Sequence, residues 1–136
     1  VHTGKTRFSS TVNREWVQTL ASDEAFPALL GLPGWAYEYR EGIRTGDWPR
    51  VVESLRGFKA IRETLVPSYM AGAGELGALA AGAGAESFPL GAGGGGSCMV
   101  ASADPGALER VRQALPGELR EIDFRLLPRG HDFEHC

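Results

Sequence analysis

Ser87-Phe88-Pro89-Leu90 and Cys98-Met99-Val100-Ala101-Ser102-Ala103 flank Gly91-Ala92-Gly93-Gly94-Gly95-Gly96-Ser97, and this stretch decides the fold. Five glycines in six positions concentrate the ordering cost of the backbone at one point. A folded chain keeps such a run where side chains do not fit, which makes Gly91–Gly96 the candidate ligand-facing loop. The flanks predict a strand ending at Leu90 and a second strand over Cys98–Ala103. Gly91, Gly93 and Gly96 have the G-x-G-x-x-G spacing of a dinucleotide fingerprint, but that fingerprint opens a helix, whereas Ser97 to Ala103 reads as a strand. A flexible tether is the other reading of a Gly run. The apolar flanks favour a tight strand-to-strand loop that turns several backbone N–H groups toward an anion or another loop.

Downstream of the loop, Asp104 is placed to cap a helix with Pro105 at its first position and Leu108, Val111 and Leu115 on its buried side. Pro116 and Gly117 end it. Ile122, Phe124 and Leu126 alternate with Asp123 and Arg125, the period of a strand with one buried face, closed by Pro128. Upstream, Val12, Trp16 and Leu20 form the stripe of a first helix capped by Ser9 or Ser10 and ending near Ala21. A second helix is predicted from Trp35 to Thr45 with Ala36, Tyr39 and Ile43 on one side and Gly46 at its exit. Asp47 then caps a third, with Pro49 in its first turn and Trp48, Val51, Val52, Leu55, Phe58, Ile61 and Leu65 as its stripe. Pro67 stops it, and Ser68 starts a fourth that carries Leu76, Leu79, Ala80 and Ala83. Glycines 72, 74, 77 and 82 weaken that helix and require close packing.

The order is a strand at the start, a block of helices, then strand, loop, strand, helix, strand. It predicts an α+β fold, a small antiparallel sheet with helices packed on one face. The last strand, helix and strand also permit parallel pairing, so strand order stays open. At 136 residues the chain has the size of a single domain, 1–136. A net charge of −3 with singly scattered Lys and Arg offers no basic stripe for nucleic acid. No apolar run is long enough for a membrane span. Two cysteines, Cys98 and Cys136, are too few for a disulfide framework and fit a reducing cytoplasm.

The segment from Gly82 to Val100 resembles the third conserved motif of the GHMP kinases, the group of galactokinase, homoserine kinase, mevalonate kinase and phosphomevalonate kinase. His2-Thr3-Gly4-Lys5-Thr6-Arg7-Phe8-Ser9-Ser10 is similar to the start of the second half of the sugar branch, especially heptose-phosphate kinase and fucokinase-like members. There a strand ending in Thr-Gly leads to an Arg and a Ser before a helix. Gly42 to Asp47 also resembles the family's helix end at a Gly-Asp. The resemblance covers nearly the whole chain and implies the family's C-terminal domain, with a ferredoxin-like α+β sheet.

The resemblance also implies an ATP-dependent kinase that phosphorylates a hydroxyl of a sugar or sugar phosphate with Mg²⁺. Gly91, Ala92, Gly93, Gly94, Gly95 and Gly96 are carried over as the loop beside the nucleotide, and Arg7 as a substrate-phosphate contact at the cleft mouth. Phe88, Pro89 and Leu90 stand where many members have a Lys and a small or hydroxyl residue. The family's Pro-x-x-x-Gly-Leu-Ser-Ser-Ser nucleotide loop and catalytic Asp belong to an N-terminal half outside these residues, so no catalytic residue is expected here and this portion alone is expected to be inactive. The runner-up is a noncatalytic α+β ligand-binding or regulatory module whose glycine loop holds a small anion. Gly4-Lys5-Thr6 matches only the end of a Walker A motif, and Arg7-Phe8-Ser9-Ser10 is not the apolar helix such a loop enters. His131, His135 and Cys136, with Asp132 and Glu134, form a polar tail to which no metal is assigned.

Overall fold

A computed structural model describes residues 1–5, 9–91 and 93–123. Helices α1 (Ser9–Leu20), α2 (Phe26–Leu30), α3 (Leu32–Thr45), α4 (Trp48–Leu65) and α5 (Gly74–Gly82) precede strands β1 (Glu86–Pro89) and β2 (Cys98–Ala101), and α6 (Pro105–Ala114) follows. A 3-10 turn, Asp23–Ala25, leads into α2. The α+β class and the antiparallel pairing of β1 with β2 are as expected. Among the described residues no helix is long and apolar enough to cross a membrane.

The α3–α4 hairpin forms where the sequence punctuates it. Gly46 leaves α3 in the left-handed region at φ 71°, and the Asp47 carboxylate accepts the N–H of Arg50 at the start of α4. α3 begins earlier than predicted, at Leu32, because Pro33 suits its first turn. Its buried side also differs. Ala36, Tyr39 and Ile43 are exposed, and α3 meets α4 through Trp35 and Gly42. A Cβ at Gly42 would stand 2.8 Å from Val51 Cγ2, and one at Gly57 of α4 would stand 2.1 Å from Trp35 Cε2. Glycine on each helix therefore admits a large side chain from the other, and this fixes the facing stripe more strongly than hydropathy does. Leu20 and Trp48, placed on stripes by periodicity, also face outward.

The fourth helix starts at Gly74, six residues after the expected Ser68. Residues 67–73 form successive turns, and the Ser68 hydroxyl donates to Glu15 Oε2 at 2.5 Å instead of capping. This puts Tyr69 and Gly72 in a turn, where their backbone reaches the glycine loop. Within α5, Leu76 and Ala80 are buried.

The expected packing of helices on one face is corrected at β1. Successive strand residues point to opposite faces, and both Ser87 and Phe88 are buried. Ser87 faces Gly77 of α5. Phe88 shares the other side with α4: Lys59 Nζ is 5.9 Å from its ring, and Glu86 pairs with Arg56 and Lys59. Beyond β2, residues 1–5 add an antiparallel extension. The Val1 nitrogen donates to Cys98 O and Cys98 N to Val1 O, both at 2.8 Å, and His2 bridges Ser97 on one side and Arg120 on the other. The strand expected at the start of the chain is thus present as bridges rather than as a full ladder.

β2 ends at Ala101 rather than Ala103. Asp104 caps α6 by accepting the Gly106 N–H at 2.9 Å, but Leu108 is exposed, and Ala107 and Val111 are the buried pair. Small Ala107 lets α6 approach Ala80 and Ala85 closely, which turns Leu108 outward. Ile122 is exposed and lies in no strand, while Phe124, Leu126 and Pro128 are outside the described residues.

Candidate functional site

The glycine run is the β1–β2 turn. Leu90 N–H donates to Ser97 O at 2.9 Å at its base. Gly91, Gly93, Gly94, Gly95 and Gly96 all have positive φ, from 65° to 145°, a region that L side chains rarely adopt. The composition of the run is therefore a backbone requirement, met at every one of the five positions.

Three segments of the chain fasten this turn. From the start of the chain, Thr3 donates to Gly96 O through its N–H at 2.8 Å and through its hydroxyl at 2.9 Å, and Gly96 N–H donates to Lys5 O at 2.9 Å. From the 67–73 turns, Tyr69 O accepts the Gly94 N–H at 2.7 Å and the Tyr69 hydroxyl donates to Pro89 O at 2.8 Å. From α4, Arg62 Nη2 donates to Gly91 O at 2.7 Å. The Arg62 guanidinium lies 4.6 Å from the Tyr69 ring centroid and 5.7 Å from that of Trp16, so two aromatic faces hold it over the turn. Burial pushes the Tyr69 phenol above its ordinary range, and the Arg62 cation opposes that rise.

The missing side chains have two different neighbourhoods. A Cβ at Gly93 would stand 2.2 Å from Tyr69 Cδ2, and one at Gly95 would stand 3.0 Å from Lys5 O. Gly72 approaches the turn backbone to backbone, since a Cβ there would stand 2.5 Å from Gly95 Cα. On that side the glycines make room for this chain's own residues. At Gly91 and Gly96, by contrast, a Cβ would meet nothing within 4 Å among the described residues. One side of the turn is closed and the other is open backbone.

No protein-family model matches the chain, and no curated protein and no solved structure is significantly similar to it. The chemistry of the site itself therefore carries the functional reading.

Arg7 and Ala92, both placed at the site by sequence, lie outside the described residues, as do His131, Asp132, Glu134, His135 and Cys136. Among the described residues no group of three or more His, Cys, Asp or Glu side chains is placed to hold a metal ion. Cys98 is buried at the start of β2 against Ala73, Leu76 and Leu119, and burial pushes its thiol up, away from the reactive thiolate. A groove of about 580 Å³ lies elsewhere, between the start of α4 and the turn before α6, and is lined by both signs of charge from Arg50, Arg56, Glu53 and Asp104.

Arg62, Tyr69 and Gly72 are functional candidates that sequence patterns do not single out. Arg62 sits on a helix where charged residues are ordinary, and Tyr69 falls in a segment that reads as helix but folds as turns. Gly72 carries the one usable signal: a glycine ahead of a weak helix marks a close backbone approach.

Proposed function

We propose that this chain is the C-terminal part of an ATP-dependent small-molecule kinase of the GHMP type, transferring the γ-phosphoryl group to a hydroxyl of a sugar or sugar phosphate in the cytoplasm. One observation carries the reading. Two of the three segments that bear the resemblance, residues 2–10 and the one containing the glycine run, are far apart in sequence, with Thr3 and Gly96 separated by 93 positions, yet Thr3 and Lys5 are hydrogen-bonded to Gly96. They make one site. In this reading the sheet, with β2 between β1 and residues 1–5, is the ferredoxin-like element of the family's C-terminal domain.

The open backbone at Gly91 and Gly96 fits a polyphosphate-bearing ligand, because among the described residues no side chain stands within 4 Å of where a Cβ at either position would be. The amides of Gly94 and Gly96 are engaged by Tyr69 O and Lys5 O. The described residues around the turn provide no carboxylate cluster for Mg²⁺. The ion and the catalytic base are then assigned to an N-terminal half that carries the nucleotide loop, and when bound the ion supplies charge stabilisation of the transferring phosphoryl group.

The test is ADP release by the complete protein that contains this chain, with ATP and Mg²⁺, across free sugars and sugar phosphates, with the product assigned by phosphorus NMR. Substrate-dependent ADP release and a new phosphomonoester are expected. ATP that neither binds nor turns over overturns the proposal.

A further inference from the structure

We infer that Arg62 and Tyr69 are positioning residues that latch the glycine turn in one conformation. Arg62 holds the first residue of the turn through Gly91 O, and Tyr69 holds Pro89 just before it and Gly94 in its middle. The Arg62 guanidinium lies over the Tyr69 ring, and the Trp16 ring on α1 is also within 5.7 Å of it. A run of five positive-φ glycines has many alternative conformations of similar energy, since glycine reaches both halves of φ space. Among the described residues, the hydrogen bonds with Thr3 and Lys5 fix the Gly96 end. Without the Arg62–Tyr69 pair the Gly91–Gly94 end would sample those alternatives, and the latched conformation would be a fraction of the population.

The consequence for catalysis rests on the kinase reading. If the turn must hold this shape to admit a nucleotide, a fractional population raises the apparent dissociation constant by the inverse of that fraction. At saturating nucleotide the competent conformation is restored. Loss of the latch therefore acts on KM for ATP and leaves kcat nearly intact.

Hydrogen exchange on the complete protein tests the latch without requiring activity. In Arg62→Gln, amides of residues 91–97 are expected to exchange roughly three- to tenfold faster, the scale of a partly exposed charge-assisted hydrogen bond, with α3 unchanged. Tyr69→Phe keeps the ring and removes only the bond to Pro89 O, so it gives a smaller change in the same direction and serves if Arg62→Gln does not fold. Arg62→Lys, which keeps the charge, restores part of the protection. Unchanged exchange in the turn, or acceleration spread equally over α3, overturns the latch. In the kinetic arm, KM for ATP rises by the inverse of the latched fraction that remains, while kcat stays within about twofold. A fall in kcat at constant KM overturns the proposed consequence. A wild-type protein without ADP release sinks the kinase reading alone, because the exchange result still decides the latch.

Discussion

The ring of Tyr69 occupies the space that a side chain at position 93 would need: a Cβ on Gly93 would stand 2.2 Å from Cδ2 and 2.7 Å from Cε2. Gly93 also holds φ at 88°. Gly93→Ala combines overpacking with a left-handed alanine and is expected to lose about 2–4 kcal/mol of stability. Urea unfolding followed by tryptophan fluorescence measures it. Wild-type stability in that variant would mean that Tyr69 does not press on the turn.

Gly57 and Gly34 test the helical hairpin in opposite senses. Alanine in place of a helical glycine ordinarily gains up to about 1 kcal/mol. At Gly34 a Cβ meets nothing within 4 Å among the described residues, so Gly34→Ala should raise the unfolding midpoint. At Gly57 the Trp35 indole is in the way, and Gly57→Ala should lower it, with a net loss of about 1–3 kcal/mol. Equal effects at the two positions would contradict the interlocked packing.

Ser87 Oγ is buried in β1 without a hydrogen-bond partner among the described residues. Its size suits the close approach of Gly77, but its hydroxyl gives up hydration for nothing. Ser87→Ala is expected to leave stability unchanged or raise it by about 1 kcal/mol. A loss larger than that in thermal unfolding would reveal a partner for the hydroxyl.

Asp104 gives the fold a defined acid response. The Arg110 guanidinium and the Gly106 N–H hold its carboxyl below the ordinary aspartate range. A folded-state value lowered in this way stabilises the protein fully above the unfolded value of about 4, and the contribution is lost as pH falls through the lower folded value. Asp104→Asn keeps a capping side chain but loses the charge. Its thermal midpoint should lie below wild type at pH 7, and the gap should close as pH falls through the lowered folded-state value. A gap that persists at low pH would place the effect in the cap geometry rather than in the ion pair.

Much of the fold was legible because local chemistry marks it. Gly46 followed by Asp47, Pro49 after the cap, and Asp104 with Pro105 all act within one turn of the backbone, and each stands where its chemistry predicts. The glycine run was legible as a special turn for the same reason. What escaped depends on partners distant in sequence. Ala36, Tyr39 and Ile43 have the better apolar spacing, yet Trp35 and Gly42 face α4 because Gly57 and Val51 complete them, and no window containing only α3 includes those two residues. Tyr69 and Arg62 escaped similarly, since their hydrogen-bond acceptors lie 20 and 29 positions further on.

The exchange of hydrogen bonds between Val1 and Cys98 spans 97 positions, which sets a timetable for biosynthesis. At about 5–20 residues per second, residues 1–5 are made some 5–20 s before Cys98. Throughout that wait their main-chain donors and acceptors are unclaimed, an open invitation to a neighbouring nascent chain. The helical hairpin between them closes through nearby contacts, whereas joining the two distant segments carries the larger loop-closure cost.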